Sequence, residues 1–334
     1  MCSCSSSCSL LHSFVPFAGP IIVLPNRQLQ PDAARSTISG TATLPPRLSS
    51  LSPLLHGYRQ ATITTWLTRA GEHAQSLHKH CFHTLQIPHL QLDELRTRLR
   101  CSTQVLWLWL AFDPCTKILP VLQLGPRTQT MAHLLILSLR QILTPVCIPL
   151  FTSDGLNLYF YALTAHFGQW LALCRRGRNV RRWQVAAGLI YGQVKKSYRR
   201  RKLVRVSQVM RLGTEDALTA ALQGMGFSGR LNTAFIERVN LTVRHGIAAL
   251  ARRTWATAQQ SPSLLAHLEW WRAYYHFVRP HESLRVALKQ TRERGGKLLA
   301  QRYRQRTPAM AAGRTHRQWT AREVLSCPLP PVCA

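Results

Sequence analysis

Eight consecutive apolar residues, Val-Leu-Trp-Leu-Trp-Leu-Ala-Phe at positions 105–112, constrain this chain more than any other stretch. The run is too short to cross a bilayer as a helix, which takes about 20 residues. It lacks the alternation of a strand with one wet face, so it fits a strand buried on both faces, with covering layers on either side. Its neighbours supply the rest of a sheet. Residues 90–95 read as a first strand and residues 118–124 as a third, reached through the Asp113-Pro114 turn. Residues 128–143 have helical spacing, with Met131, Leu134, Leu135 and Leu139 able to share a face, and Pro145 ends them. Residues 148–152 form a fourth short strand that runs into Ser153-Asp154-Gly155. Three meandering strands, a helix and another strand predict a mixed α/β sheet.

Charge decides the class of partner. Lys and Arg number 43 against 13 Asp and Glu, a formal charge of +30 on 334 residues. The hydrophobic fraction of 46% is that of a globular chain, which excludes wholesale disorder. A compact body this basic repels itself and needs a polyanion or an anionic surface to offset the repulsion. Nucleic acid is the expected partner, with an acidic membrane surface as the plainer competitor. The ten cysteines are scattered, no C-x-x-C pair occurs, and the first Lys or Arg is Arg27, which does not suit a secretory leader. Free thiols in a reducing cytosol, in contact with the nucleoid, are the expectation.

Organisation along the chain is uneven. Residues 1–56 hold 11 Ser, 7 Pro and four charges without periodicity, a composition expected to be disordered or loosely attached. Residues 57–86 are helical: Ile63, Trp66, Leu67 and Ala70 fall at i, i+3, i+4 and i+7, with Thr62, Thr64, Thr65 and Arg69 on other faces, as on a remnant of a helix-turn-helix. Further helices are expected over residues 231–254 and 264–277, and a basic, helical tail over 285–334. Between Gly155 and Thr214 there is no Asp or Glu, whereas 13 Lys or Arg fall between Arg175 and Arg211. Arg181, Arg182, Lys195, Lys196, Arg199, Arg200, Arg201, Lys202 and Arg205 carry this insertion, 175–211, and are the candidate phosphate contacts. Trp183, Tyr191 and Tyr198 lie among them, for packing rather than base stacking.

With so few acids, each carboxylate near the sheet is informative. Asp93 lies on the first strand and Asp154 at the C-terminal end of the fourth. Adjacent strands lie about 4.8 Å apart, so pairing of these two would let both carboxylates reach one divalent cation. Glu94, beside Asp93, is the alternative ligand, and Asp113 the substitute first carboxylate, although its Asp-Pro context reads as a turn. Glu237 lies on a predicted helix, with Asn240 and Arg244 at i+3 and i+7 on its stripe and Ile236, Val239 and Val243 beside it to pack on the sheet. Hard carboxylate oxygens suit Mg²⁺ or Mn²⁺, and two such ions activate an attacking oxygen and stabilise a leaving one at a phosphodiester. The bland readings are a strand-edge charge, a strand-end turn and a solvated helix carboxylate. The histidines around Cys81 (His73, His78, His80, His83) fit no standard zinc spacing.

The order and context of QLDEL, FTSDG and AFIERVNLTVR, with the downstream YYHFVRPHESL, resemble the DDE transposases of bacterial insertion sequences, of the retroviral-integrase superfamily. The resemblance covers residues 60–285. It implies an RNase H-like core over 87–284, a mixed five-stranded sheet flanked by helices, in which Asp93, Asp154 and Glu237 bind two Mg²⁺ or Mn²⁺ ions. It also implies metal-dependent DNA cleavage and strand transfer on element ends and target, by a homodimer or larger assembly, with Asn240 and Arg244 positioning DNA or the ligand helix. Such enzymes carry an N-terminal module that reads the element's ends. Residues 1–56 show none, which fits an altered or truncated start and leaves an inactive copy as the alternative to an active enzyme. A non-catalytic DNA-binding remnant and a hydrolysis-only nuclease of the same fold are the alternatives.

Overall fold

The computed structural model describes residues 59–99, 105–175, 178–200, 202–251, 261–294 and 297–330, so the expectation for residues 1–56 lies outside the described residues. Helix α1 (Gln60–Cys81) precedes strands β1 (His89–Arg98), β2 (Val105–Phe112) and β3 (Leu122–Gly125). Helix α2 (Gln129–Ile142), strand β4 (Leu150–Asp154) and helix α3 (Leu158–His166) follow. Next come β5 (Gly168–Arg175), β6 (Arg178–Val185), β7 (Tyr191–Arg199) and β8 (Lys202–Leu212). The chain continues through α4 (Glu215–Gly224), α5 (Ala234–Gly246) and α6 (Ser261–Ala273), then β9 (Val286–Arg294) and β10 (Lys297–Arg304). It closes with the short helices α7 (Pro308–Ala311) and α8 (Ala321–Ser326).

The main sheet is mixed and six-stranded, in the order β3-β2-β1-β4-β7-β8. β1, β2 and β3 are an antiparallel meander, β4 is parallel to β1 and to β7, and β8 returns antiparallel to β7. The apolar run of β2 is covered on both sides, as its composition requires. Trp109 and Ala111 join one core with Leu135, Ile136 and Leu139 of α2. Leu108, Leu110 and Phe112 join another with Ile236, Val239 and Val243 of α5 and Leu264 and Leu268 of α6. Each such side chain contributes about 1.5–3 kcal/mol by leaving water, so β2 fixes helices on both faces. The face that holds α5 is the one that bears Glu237.

Several expectations are corrected. The sheet has six strands rather than five, because the basic insertion contributes strands to it. Its residues form the hairpin β5-β6, outside the main sheet, and the pair β7-β8 within it. The tail is not simply helical: β9 and β10 pair antiparallel, and only then do two short helices follow. Nor is the tail detached, since Ala309 and Val324 are buried in the main core and Trp319 stacks on Phe277. Helix α5 stops at Gly246 rather than running to residue 254, and α6 gives way to a π-turn at Tyr274–Val278. In α2 the buried stripe is Ala132, Leu135, Ile136 and Leu139, while Leu134 is exposed. All described residues fall in one compact unit, Pro45–Ala334.

Helix α1 lies along α6 and is no free-standing module. It ends at Cys81, with Phe82 inserted into the core, and its buried residues lie further along than expected, at Ala74 and Leu77, while Trp66 is exposed. Gly71 permits the crossing: a Cβ there would lie 2.3 Å from the carbonyl oxygen of Ala266. Backbone cannot yield as a flexible side chain does. Gly71→Ala is therefore expected to lower the unfolding free energy by about 1–3 kcal/mol in urea denaturation. Gly188→Ala, at a position with open space around it, is expected to change it by less than about 0.5 kcal/mol.

Candidate metal centre

Parallel pairing of β1 with β4 runs from His89 opposite Leu150 to Leu92 opposite Ser153, so the next residue on each strand is Asp93 and Asp154. Ligand oxygens of Asp93, Glu94 and Asp154 all lie within 4.8 Å of one another, a group that could hold a metal ion. Of the three, Asp93 and Asp154 line a cleft of about 580 Å³, together with Glu237, Lys195, Lys196 and Thr233. Glu94 belongs by strand alternation to the other face. There Arg127 donates to its Oε2 at 2.9 and 3.2 Å, while its Oε1 is buried without a hydrogen-bond partner. Arg127 is held in turn over the Trp107 ring, 4.8 Å from its centroid. Asp93 rather than Glu94 thus shares the open cleft with Asp154 and Glu237.

Helix α5 is pinned to β1 by the first residue of the QLDEL segment, one to which the sequence alone assigned no role. Gln91, buried two positions before Asp93, donates from Nε2 to the carbonyl of Asn232 at 2.6 Å. Its Oε1 accepts from the backbone N–H of Ile236 at 3.0 Å. Asn232 Oδ1 accepts from Ala234 N–H at 2.6 Å, so two of the donors that a helix start leaves orphaned are satisfied. One turn beyond Glu237, Asn240 Nδ2 donates to Asp93 Oδ2 at 2.6 Å, while the Glu94 N–H donates to Oδ1 at 2.8 Å. Arg244 is placed differently: it donates to the carbonyl of Leu250 at 3.1 Å and does not line the cleft. It secures the end of the helix.

Glu237 lines the same cleft but stands outside the 4.8 Å group. Its Oε1 accepts from Thr233 Oγ1 at 2.7 Å and is ion-paired with Lys196. Burial raises this carboxyl, and the bonds from Lys196 and Thr233 more than reverse that, leaving it below its ordinary value. Asp93 behaves oppositely. Burial, then the neighbouring charges of Asp154 and Glu94, push it up to about 7.

The basic residues sit where the sheet ends. Pairing of β7 with β4 stops at Val194 opposite Asp154, so from Lys195 onward β7 pairs only with β8. The two continue as an arm beyond the end of β4. Lys195 and Lys196 line the cleft, and Arg199, Arg200, Lys202 and Arg205 are exposed along the arm. Arg201 lies outside the described residues. Arg181 and Arg182 are exposed on β6, in the separate hairpin. Among the aromatics, Tyr191 is buried against Ser153 and Gln193, and Trp183 donates to the carbonyl of Thr164 at 2.8 Å, both packing roles. The side chain of Tyr198 lies outside the described residues.

The plainer expectations also find their places. Asp113 accepts from Cys115 and Thr116 within its turn. His73 and His78 bond the carbonyls of Val324 and Pro120, and no metal-ligating group forms around them among the described residues. No helix among the described residues is long and apolar enough to cross a membrane. Comparisons with protein-family models, with curated proteins and with solved structures return no match.

The pH dependence of the cleft follows from Asp93. Its folded value of about 7 exceeds the ordinary 3.8, so the metal-free protein loses stability from this group as pH rises from about 4 through 7. A bound cation must displace the same proton. Titration calorimetry with Mn²⁺ from about pH 5.5 to about pH 8 is expected to show affinity rising by up to about tenfold per pH unit, then levelling above about 7, with a proton released per ion. Asp93→Asn is expected to weaken binding and remove that pH dependence.

Proposed function

We propose that the chain is a metal-dependent DNA strand-transfer enzyme of the DDE transposase kind, with an RNase H-like core in which Asp93, Asp154 and Glu237 are the catalytic carboxylates. The observation that carries this reading is that three acids far apart in sequence line one cleft, at the root of an arm studded with Lys and Arg. The mixed six-stranded sheet, with an antiparallel meander and a strand parallel to β1, is compatible with such a core.

The donor set fits hard divalent ions. It consists of carboxylate oxygens, and the crowding that raises Asp93 is relieved by a cation. Each oxygen of Asp93 accepts one bond from the protein and has a second lone pair for coordination. Bound Mg²⁺ or Mn²⁺, two ions in this reading, supplies Lewis-acid activation of the attacking hydroxyl and neutralises the leaving oxygen. The protein supplies the placement. Asn240 fixes the Asp93 carboxylate, and Gln91 holds the helix from which Glu237 projects. Glu237 would join Asp93 and Asp154 in holding a cation if the ion took the place of its Lys196 partner, and Lys196 would then be available to a phosphate of the strand being cut. Lys195 and the arm residues hold the rest of the polyanion. Reaction at two element ends calls for a second copy of the chain, and a DNA substrate for a place at the nucleoid.

A nicking and joining assay on duplex DNA with Mg²⁺ tests the proposal. Wild type is expected to yield nicked and joined products. Asp154→Asn and Glu237→Gln are each expected to lower the rate by about a thousandfold with the fold retained by circular dichroism. Unchanged rates in both variants would reject the assignment. Nicks without joined products would favour the hydrolysis-only alternative, and binding without cleavage the non-catalytic remnant.

A further inference from the structure

A second cleft, larger than the one that holds the carboxylates, shares none of its lining residues. It occupies about 750 Å³ between the Arg279-Pro280-His281-Glu282-Ser283 segment and strand β10. Arg285, Arg302, Arg304, His281, Tyr303 and Gln318 line it. Its one acid, Glu282, is ion-paired to Arg285 at 3.1 Å, which leaves Arg302 and Arg304 uncompensated by any acid of the lining. From residue 285 to the end of the chain there are 11 Lys or Arg and two Glu, so the surplus is local and not only a property of the whole chain.

We propose that this cleft is a second phosphate-binding groove, which takes the backbone of duplex DNA beyond the strand being cut.

Three features favour DNA over a small anion. First, Arg302 and Arg304, two residues apart on β10, both line the cleft. Two residues of strand rise about 6.7 Å, close to two axial steps of one DNA strand at about 3.4 Å each. Second, the donors are partly fixed in advance. The Arg285 guanidinium lies 4.4 Å from the Tyr303 ring centroid, and Arg304 gives one N–H to the His316 carbonyl at 2.9 Å, which holds the planar fork while its other donors stay available. Gln318 adds a neutral side chain of the kind that contacts phosphate oxygens. Third, the positive field at the groove is shared with α5: the charges of Lys117, Arg279 and Arg238, opposed by that of Glu282, act on the His281 ring, and Arg238 follows Glu237 on that helix. His281 is itself held through its backbone N–H to the Arg306 carbonyl at 2.9 Å. The inference rests on the reading that the chain acts on DNA, and it extends the footprint well past the β7-β8 arm.

The test uses the full chain and a random duplex of about 30 base pairs, with binding measured by fluorescence anisotropy over a range of salt. Arg302→Gln/Arg304→Gln is expected to make the slope of log affinity against log salt shallower by about 2, since each lost phosphate contact removes about 0.9. Arg69→Gln/Arg322→Gln removes the same charge from two exposed arginines outside the groove and is expected to change the slope by less than about 0.5. Equal changes in the two double variants, or no change in the first, would overturn the proposal. So would loss of binding to phosphatidylserine vesicles in the groove variant with DNA binding intact. An altered slope in a protein that neither nicks nor joins DNA would leave the groove standing and reject the catalytic reading. An unaltered slope in a protein with Mg²⁺-dependent cleavage would reject the groove alone.

Discussion

Asp93 and Asp154 stand side by side because β1 and β4 pair in parallel, and much of the surrounding structure answers the repulsion between them. Two unit charges about 4 Å apart repel by about 4 kcal/mol at an effective dielectric of about 20, a large fraction of a domain's net stability. The metal-free protein lowers this cost by holding a proton on Asp93, pushed up to about 7, and by directing the Asn240 amide onto its Oδ2. Nearby Lys196 pairs with the third acid, Glu237. Asn240 and Glu237 both come from α5, which apolar packing against β2 has already fixed.

The packing also explains why the site opens where it does. β4 ends at Asp154 and the chain leaves through Gly155, while β7 and β8 continue without a partner on that side. The end of β4 leaves a gap at the sheet, walled by α5 and floored by the two strand-borne carboxylates. Repulsion among the lysines and arginines of the arm is tolerable because the arm is exposed and has no apolar core of its own to disrupt.

What could be read in the sequence was what burial imprints on it. β2 was legible because both of its faces are covered, and α5 because Ile236, Val239 and Val243 share its buried stripe. Asp154 was legible because an Asp-Gly pair closes a short apolar strand, and the structure brings it beside Asp93 as strand pairing required. The arm was not. Residues Lys202 to Val206 are all exposed, so β8 carries no apolar alternation there to mark a strand. Gln91 escaped for a different reason: its partners lie more than 140 residues away, and a buried amide satisfied by backbone groups leaves no local pattern. The choice between Asp93 and Glu94 likewise needed the Arg127 contact, which residue spacing does not reveal.

The central claim is that the Asp93–Asp154 pair is a cation site facing the cleft. Anomalous diffraction from crystals saturated with Mn²⁺ tests it directly. A peak within coordination distance of both carboxylates, on the side of α5, is the predicted result. No peak there at saturating Mn²⁺, or one bound to Glu94 on the opposite face, would contradict it.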